Sequence, residues 1–97
     1  MPDAVSEARI YARTNDVVSA EVSDSVILLN TKNWVYYEFD KVGTSIWELL
    51  ETPHSLPSLV QELMQKFNVD EAQCTSDTRS FLSEMIEEGI VAESGQL

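Results

Sequence analysis

The side chains able to do covalent or acid–base chemistry are few and scattered. His54 is the only histidine and Cys74 the only cysteine among 97 residues. A structural zinc site takes about four protein ligands, so this pair does not supply one. A lone cysteine also forms no internal disulfide. Cys74 falls near an expected helix start, where a thiolate is favoured, but the carboxylates around it oppose ionisation. A structural or incidental thiol is the simpler reading. Carboxylates are plentiful, with 17 Asp and Glu against 6 Lys and Arg, yet none stands at a recognisable catalytic spacing. No glycine-rich phosphate loop is present. These absences argue against an enzyme and call for no metal or cofactor.

The charge balance restricts the partners. A net charge of −11 repels a phosphate backbone. Arg79 is the only basic residue of the expected third helix, among Asp77, Glu84, Glu87 and Glu88, where base and phosphate contacts would need several Arg or Lys. No nucleic-acid partner is expected. An acidic surface instead speeds encounter with a basic peptide or protein, or simply keeps the chain soluble. No apolar run approaches the roughly 18 residues of a membrane span. The opening MPDAVSEARIYAR lacks the basic-then-apolar order of a signal peptide. A cytoplasmic protein with no membrane partner is expected.

The elements that must position any site centre on 25–50. Val26–Leu29 and Trp34–Phe39 are apolar runs flanking the polar break Asn30–Asn33, the pattern of a hairpin. Val17–Val22 alternates as a half-buried strand, joined to the next by a Ser23-Asp24 turn. Three consecutive strands make an antiparallel meander. In the third, Val35, Tyr37 and Phe39 share one face, placed on the core, and Trp34, Tyr36 and Glu38 share the other. Those outer aromatics either cover the back of the sheet or form a contact surface.

Three helices follow. Asp40 caps the first, from about Lys41 to Glu51, with Val42, Ile46, Trp47 and Leu50 at helical spacing. Gly43 costs helix stability but permits close packing against the sheet. Ser55 caps the second, with Pro57 in its first turn, an apolar stripe of Leu56, Leu59, Val60, Leu63 and Phe67, and Asn68 suited to a left-handed end. Asp70 and Gln73 read as a capping box opening the third, from about Glu71 to Glu88. Gly89 ends it and Ile90 folds back. Thr78, Leu82, Met85 and Ile86 can face the core. Asp77, Phe81, Glu84 and Glu88 form a stripe beside them, either a solvated face with Phe81 turned inward or a mixed aromatic and acidic surface. Residues 1–15 are expected to be flexible, 16–92 to form the domain, and 93–97 to be loose.

These residues resemble the PqqD-like family, also called RiPP precursor recognition elements. The resemblance is carried by Leu28-Leu29-Asn30, Tyr37-x-Phe39-Asp40, Val42-Gly43 and Ile46-Trp47-Glu48-Leu49-Leu50. Val60-x-x-Leu63, Phe67-x-Val69-Asp70, Asp77-x-x-x-Phe81-Leu82 and Met85-x-x-x-Gly89-Ile90-Val91 continue it. Asn33 stands where the family often has Gly, and tolerates a left-handed turn; Thr78 stands where Val or Ile is usual. The resemblance implies an α+β, winged helix-turn-helix-like module with a three-stranded antiparallel meander followed by three helices. It implies a non-catalytic protein that adds a precursor's leader peptide as an antiparallel strand and delivers it to a modifying enzyme such as a leader peptidase, cyclase or radical-SAM protein, in lasso-peptide or related pathways. The implied peptide-binding residues are Trp34, Val35, Tyr36, Tyr37, Glu38 and Phe39 on the strand, with Phe81 and Met85 as groove floor and Asp77 and Glu84 as rim. A monomer or weak dimer fits. A scaffold subunit that binds no peptide, and a winged-helix regulator, are the alternatives.

Overall fold

The strongest local signals in the chain are its three helix N-cap side chains, and each accepts a first-turn N–H. The computed structural model describes residues 9–22 and 25–96. Helix α1 spans Lys41–Leu49, α2 Leu56–Lys66 and α3 Glu71–Glu87. Asp40, Ser55 and Asp70 stand in extended conformation ahead of them, and their side chains accept the N–H groups of Gly43, Ser58 and Gln73. Each satisfies a donor that the first helical turn leaves open. The reciprocal half of the expected capping box is not formed, because the Gln73 amide donates to Asp77 Oδ1 at 2.9 Å instead. Helix α3 ends as expected. Gly89 takes φ +82°, its N–H donates to the Ile86 carbonyl at 3.1 Å, and the Ile90 N–H donates to the Met85 carbonyl at 3.0 Å. This pair of hydrogen bonds turns the chain back and buries Ile90. Helix α2 ends differently. Phe67 leaves it in extended backbone, and Asn68 does not adopt the left-handed form.

Among the described residues, six strands make two sheets: β1 (Arg9–Arg13), β2 (Val17–Val22), β3 (Ser25–Asn30), β4 (Val35–Glu38), β5 (His54–Ser55) and β6 (Val91–Gln96). The expected meander is present as an antiparallel sheet in the order β2-β3-β4. It stands against a three-helix body whose core holds Ile46, Trp47, Leu59, Leu63, Leu82 and Ile90, among others. Burial of β3 alternates, with Val26, Leu28 and Asn30 inward. Strand β2 does not follow the half-buried expectation. Val18 is 59% exposed and the strand shows little burial on either face. It overhangs a hollow of about 370 Å3 lined by Glu21, Val26, Thr44, Lys66 and others, so no helix closes on its inner side.

The second sheet corrects the expected flexible ends. Its order is β5-β1-β6, so Arg9–Arg13 is the central strand and Val91–Gln96 lies beside it. The reason is a partner far away in the sequence. Tyr11 and Val91 are buried in the core, Arg9 pairs with Glu93, and the Thr14 N–H donates to the Ile90 carbonyl at 3.1 Å. Arg13 completes the lock. Its Nε and Nη2 donate to the Trp47 carbonyl at 2.9 and 2.6 Å, and its guanidinium lies 4.3 Å from the Trp47 ring centroid. The carbonyl belongs to the last turn of α1, where a cation is favoured. Burial lowers the Arg13 pKa, against the opposing pull of Glu51 and Glu48. The expected flexibility of 1–8, the Ser23-Asp24 turn and the loose Leu97 lie outside the described residues. No helix among the described residues is long and apolar enough to cross a membrane.

Arg13→Ala removes a forked, charge-assisted contact and a stacking partner. It is expected to lower stability by about 2 kcal/mol, read as a lower urea midpoint. Arg13→Lys, without the planar fork, is expected to recover only part of the loss. A chain starting at Asp16 loses the central strand of one sheet and is expected to fall further than Arg13→Ala.

Candidate functional site

A strand at a sheet edge leaves half its backbone groups unpaired. Strand β4 is such an edge, bonded to β3 alone. The register pairs Ile27 with Glu38, Leu28 with Tyr37, Leu29 with Tyr36 and Asn30 with Val35. Beyond the last pair, the Phe39 N–H donates to the Val26 carbonyl at 3.2 Å. Ladder bonds alternate along an antiparallel strand. Tyr37 and the Phe39 N–H therefore face β3, and Tyr36 and Glu38 direct their backbone groups outward.

Helix α3 runs alongside this edge in the opposite direction. At one end Phe39 and Phe81 meet edge to face with ring centroids 5.0 Å apart. At the other the Tyr37 hydroxyl donates to Glu88 Oε1, and Asn30 Nδ2 donates to the Glu88 carbonyl at 2.9 Å. The Tyr37 pKa is raised above its usual value, first by that hydrogen bond, then by desolvation and by the charge of Glu88. Gly43 sets the spacing at the Phe39 end. A Cβ there would stand 3.1 Å from Phe39 Cβ and 3.2 Å from the Phe81 ring, tighter than ordinary contact. The close packing expected of Gly43 is thus made against the aromatic pair that joins β4 to α3.

The ten residues expected to form the site divide by exposure. Trp34 and Tyr36 are 69% and 70% exposed, Val35 and Glu38 are exposed, and Tyr37 and Phe81 are half-buried. Glu84 is exposed between Phe81 and Glu88 on one helical stripe. Met85 and Phe39 lie in the core rather than at the surface. Met85 is only 3% exposed and Phe39 is buried, both within the core cluster. Both lie beneath the exposed side chains of β4 and α3. Asp77 stands one turn beyond Phe81, its carboxylate engaged by Gln73, so it lies away from the Tyr37 end. Glu88, outside the expected set, is joined to β4 by the Tyr37 hydroxyl. Its place on the Asp77–Phe81–Glu84 stripe was the available signal.

The turn before β4 also departs from expectation. The left-handed residue is Trp34, at φ 60°, and not Asn33. Asn33 contributes through its side chain, whose Oδ1 accepts the Val35 N–H at 3.0 Å. The Trp34 N–H donates to the Asn30 carbonyl at 2.7 Å. A bulky residue in that conformation stores roughly 1–2 kcal/mol. On the outer face of the sheet, Val18, Leu29 and Tyr36 form one cross-strand row, and Ala20, Ile27 and Glu38 the next. The residues with reactive side chains serve elsewhere. Cys74 is buried with Sγ 4.0 Å from Thr78 Oγ1, and His54 Nδ1 lies 2.8 Å from Ser58 Oγ.

Trp34→Gly relieves the left-handed strain while adding some unfolded-state entropy. Stability is expected to stay level or rise by up to about 1 kcal/mol, although a large exposed ring is lost. A thermal melt beside the parent checks this, and a fall of several degrees would contradict it.

The family model for coenzyme PQQ synthesis protein D (PqqD) matches residues 25–91. No curated protein matches the chain. Among solved structures, TbiB1 in complex with the TbiA(beta) leader peptide is 29% identical, with 89% of this chain and 98% of that chain covered at a TM-score of 0.77. Lasso peptide synthetase B1 complexed with the leader peptide is 17% identical, covering 84% and 96% at 0.75. The PqqD truncation of Methylobacterium extorquens PqqCD, a functional and stand-alone RiPP recognition element, is 18% identical, covering 92% and 95% at 0.73. The last two establish likeness of fold.

Proposed function

The chain belongs to the PqqD family, and on that premise we propose that it is a non-catalytic leader-peptide-binding protein. It captures a ribosomally made precursor by strand addition at β4. It then delivers the precursor to a modifying enzyme such as a leader peptidase, cyclase or radical-SAM protein, in the cytoplasm, as a monomer or weak dimer. The observation that carries this reading is the free β4 edge, with the outward backbone groups of Tyr36 and Glu38 running beside α3. An added strand draws affinity from such groups and selectivity from the side chains beside them. That TbiB1 is bound to a leader peptide supports the reading. The proposed contacts are Trp34, Val35, Tyr36, Tyr37 and Glu38 with Phe81, Glu84 and Glu88; Phe39 and Met85 hold them in place. Binding needs no acid, base or cofactor, because holding the precursor near an enzyme raises its effective concentration.

A second reading has one observation in its favour. The outer face of the sheet exposes Val18, Val22 and Tyr36, and such patches mark protein contacts. A scaffold subunit docking through that face, without binding peptide, would explain it.

Amide NMR titration with the leader halves of candidate precursors encoded beside the gene separates the two. Saturable shifts at Tyr36, Glu38 and along Phe81–Glu88, with a Kd of about 1 μM or tighter, are expected. Well-dispersed spectra that no leader perturbs would leave the docking reading standing. The strand-addition step has its own check. Tyr36→Pro deletes an outward N–H and spares the β3 ladder, as proline is tolerated on an edge. It is expected to remain folded and to lose at least tenfold in leader affinity, about 1.4 kcal/mol. Tyr37→Pro, whose N–H faces β3, is expected to disrupt the sheet itself.

A further inference from the structure

The free edge also specifies what kind of strand it accepts. We propose that β4 selects a basic residue opposite Glu38, a second basic residue opposite Tyr37, and a β-branched or aromatic residue opposite Tyr36. This rests on the leader-recognition reading and adds the chemical class of the segment bound.

The register follows from the backbone. Only Tyr36 and Glu38 present outward N–H and C=O groups, so an antiparallel strand forms its close hydrogen-bonded pairs with those two residues. Side chains of paired residues share a face. The partner of Tyr36 therefore becomes the fourth member of the row Val18–Leu29–Tyr36, which is apolar throughout and exposed at Val18 and Tyr36. The partner of Glu38 extends the row Ala20–Ile27–Glu38 beside its one charge. Opposite charges directly across a ladder attract and like charges repel.

The residue between those two points to the inner face, beside Tyr37. Tyr37 is not free there, because its hydroxyl donates to Glu88 Oε1. That bond holds the Glu88 carboxylate through Oε1, and among the described residues no hydrogen bond engages its other oxygen. Glu84 stands one turn back on the same stripe, exposed. Among the described residues, no lysine or arginine salt bridge involves Glu38, Glu84 or Glu88. The closing charge is thus left for an incoming side chain. A long Lys or Arg reaches over Tyr37 to Glu88 with its stem on Phe81, while a carboxylate meets like charge on both faces.

Two capped twelve-residue peptides test this, with identical alternating Thr and Val flanks and a central Lys-Lys-Tyr or Glu-Glu-Tyr. The Lys-Lys-Tyr peptide is expected to shift the Tyr36 and Glu38 amides saturably and to bind at least ~10-fold tighter than its acidic twin. A third peptide of the first one's composition, with both lysines moved to its ends, controls for general attraction to an acidic protein and is expected to lose most of that advantage. Glu38→Gln and Glu88→Gln should each reduce the preference, and Glu62→Gln on α2 should leave it unchanged. Equal affinity of all three peptides, absence of binding by the Lys-Lys-Tyr peptide, or an equal response to Glu62→Gln would overturn the proposal. A natural leader that binds this edge with no basic residue near it would overturn the selectivity and keep the leader reading. Preference for Lys-Lys-Tyr, with no leader bound, would do the reverse.

Discussion

Phe39 joins the two halves of this molecule. It is the point where β4 stops being sheet and becomes the approach to α1. Its ring meets Phe81 at 5.0 Å and Trp47 at 6.4 Å, and its N–H closes the β3 ladder. The aromatic contacts hold the last turns of α1 and the middle of α3 against the strand, and Gly43 gives them room. Buried aromatics contribute area and preferred geometry together. Because this joint is tight, the edge of β4 stays parallel to α3 without any further covalent or metal link among the described residues. The edge is therefore preorganised, and a strand that joins it does not have to order the protein first.

What the sequence makes legible is what short-range chemistry decides. Asp40, Ser55 and Asp70 announce three helix starts, and Gly89 with Ile90 announces an end, because each acts within a turn of its own position. The meander is legible because Val26–Leu29 and Trp34–Phe39 flank an obvious break. The family resemblance adds the edge strand and the α3 stripe. The missed features all depend on something distant. Strand β1 is a strand because Val91–Gln96 lies beside it, some eighty positions away, and RIYAR carries too little alternation to reveal this. Strand β2 alternates as expected, but alternation does not say whether a helix covers it. Met85 and Phe81 look equivalent as apolar positions on one helix, and only the packing of α1 and α3 separates the buried one from the half-exposed one. The left-handed residue is Trp34 and not Asn33, whose side chain instead accepts the Val35 N–H.

Electrostatics gives the same surface two tasks. At −11 the protein repels its own copies, which restrains an open edge and an apolar outer face from pairing between molecules. Under the proposed selectivity, the same field draws a basic segment toward the edge. Glu88 sits where the two tasks meet. It lies at the negative end of the α3 dipole, an unfavourable place for a carboxylate. The Tyr37 hydroxyl and the Asn30 amide hold that residue in place through its side chain and its carbonyl. A charge kept in an unfavourable position by two neutral donors is one whose neutralisation by a ligand has most to gain.

The pairing of Arg9 with Gln96 has a consequence for architecture. The two strands leave the sheet side by side, at the same end. A host polypeptide could accept the whole module within one surface loop, entering through one strand and leaving through the other, with no long tether and no strain on the core. The β4 edge belongs to the other sheet and would remain open after such an insertion.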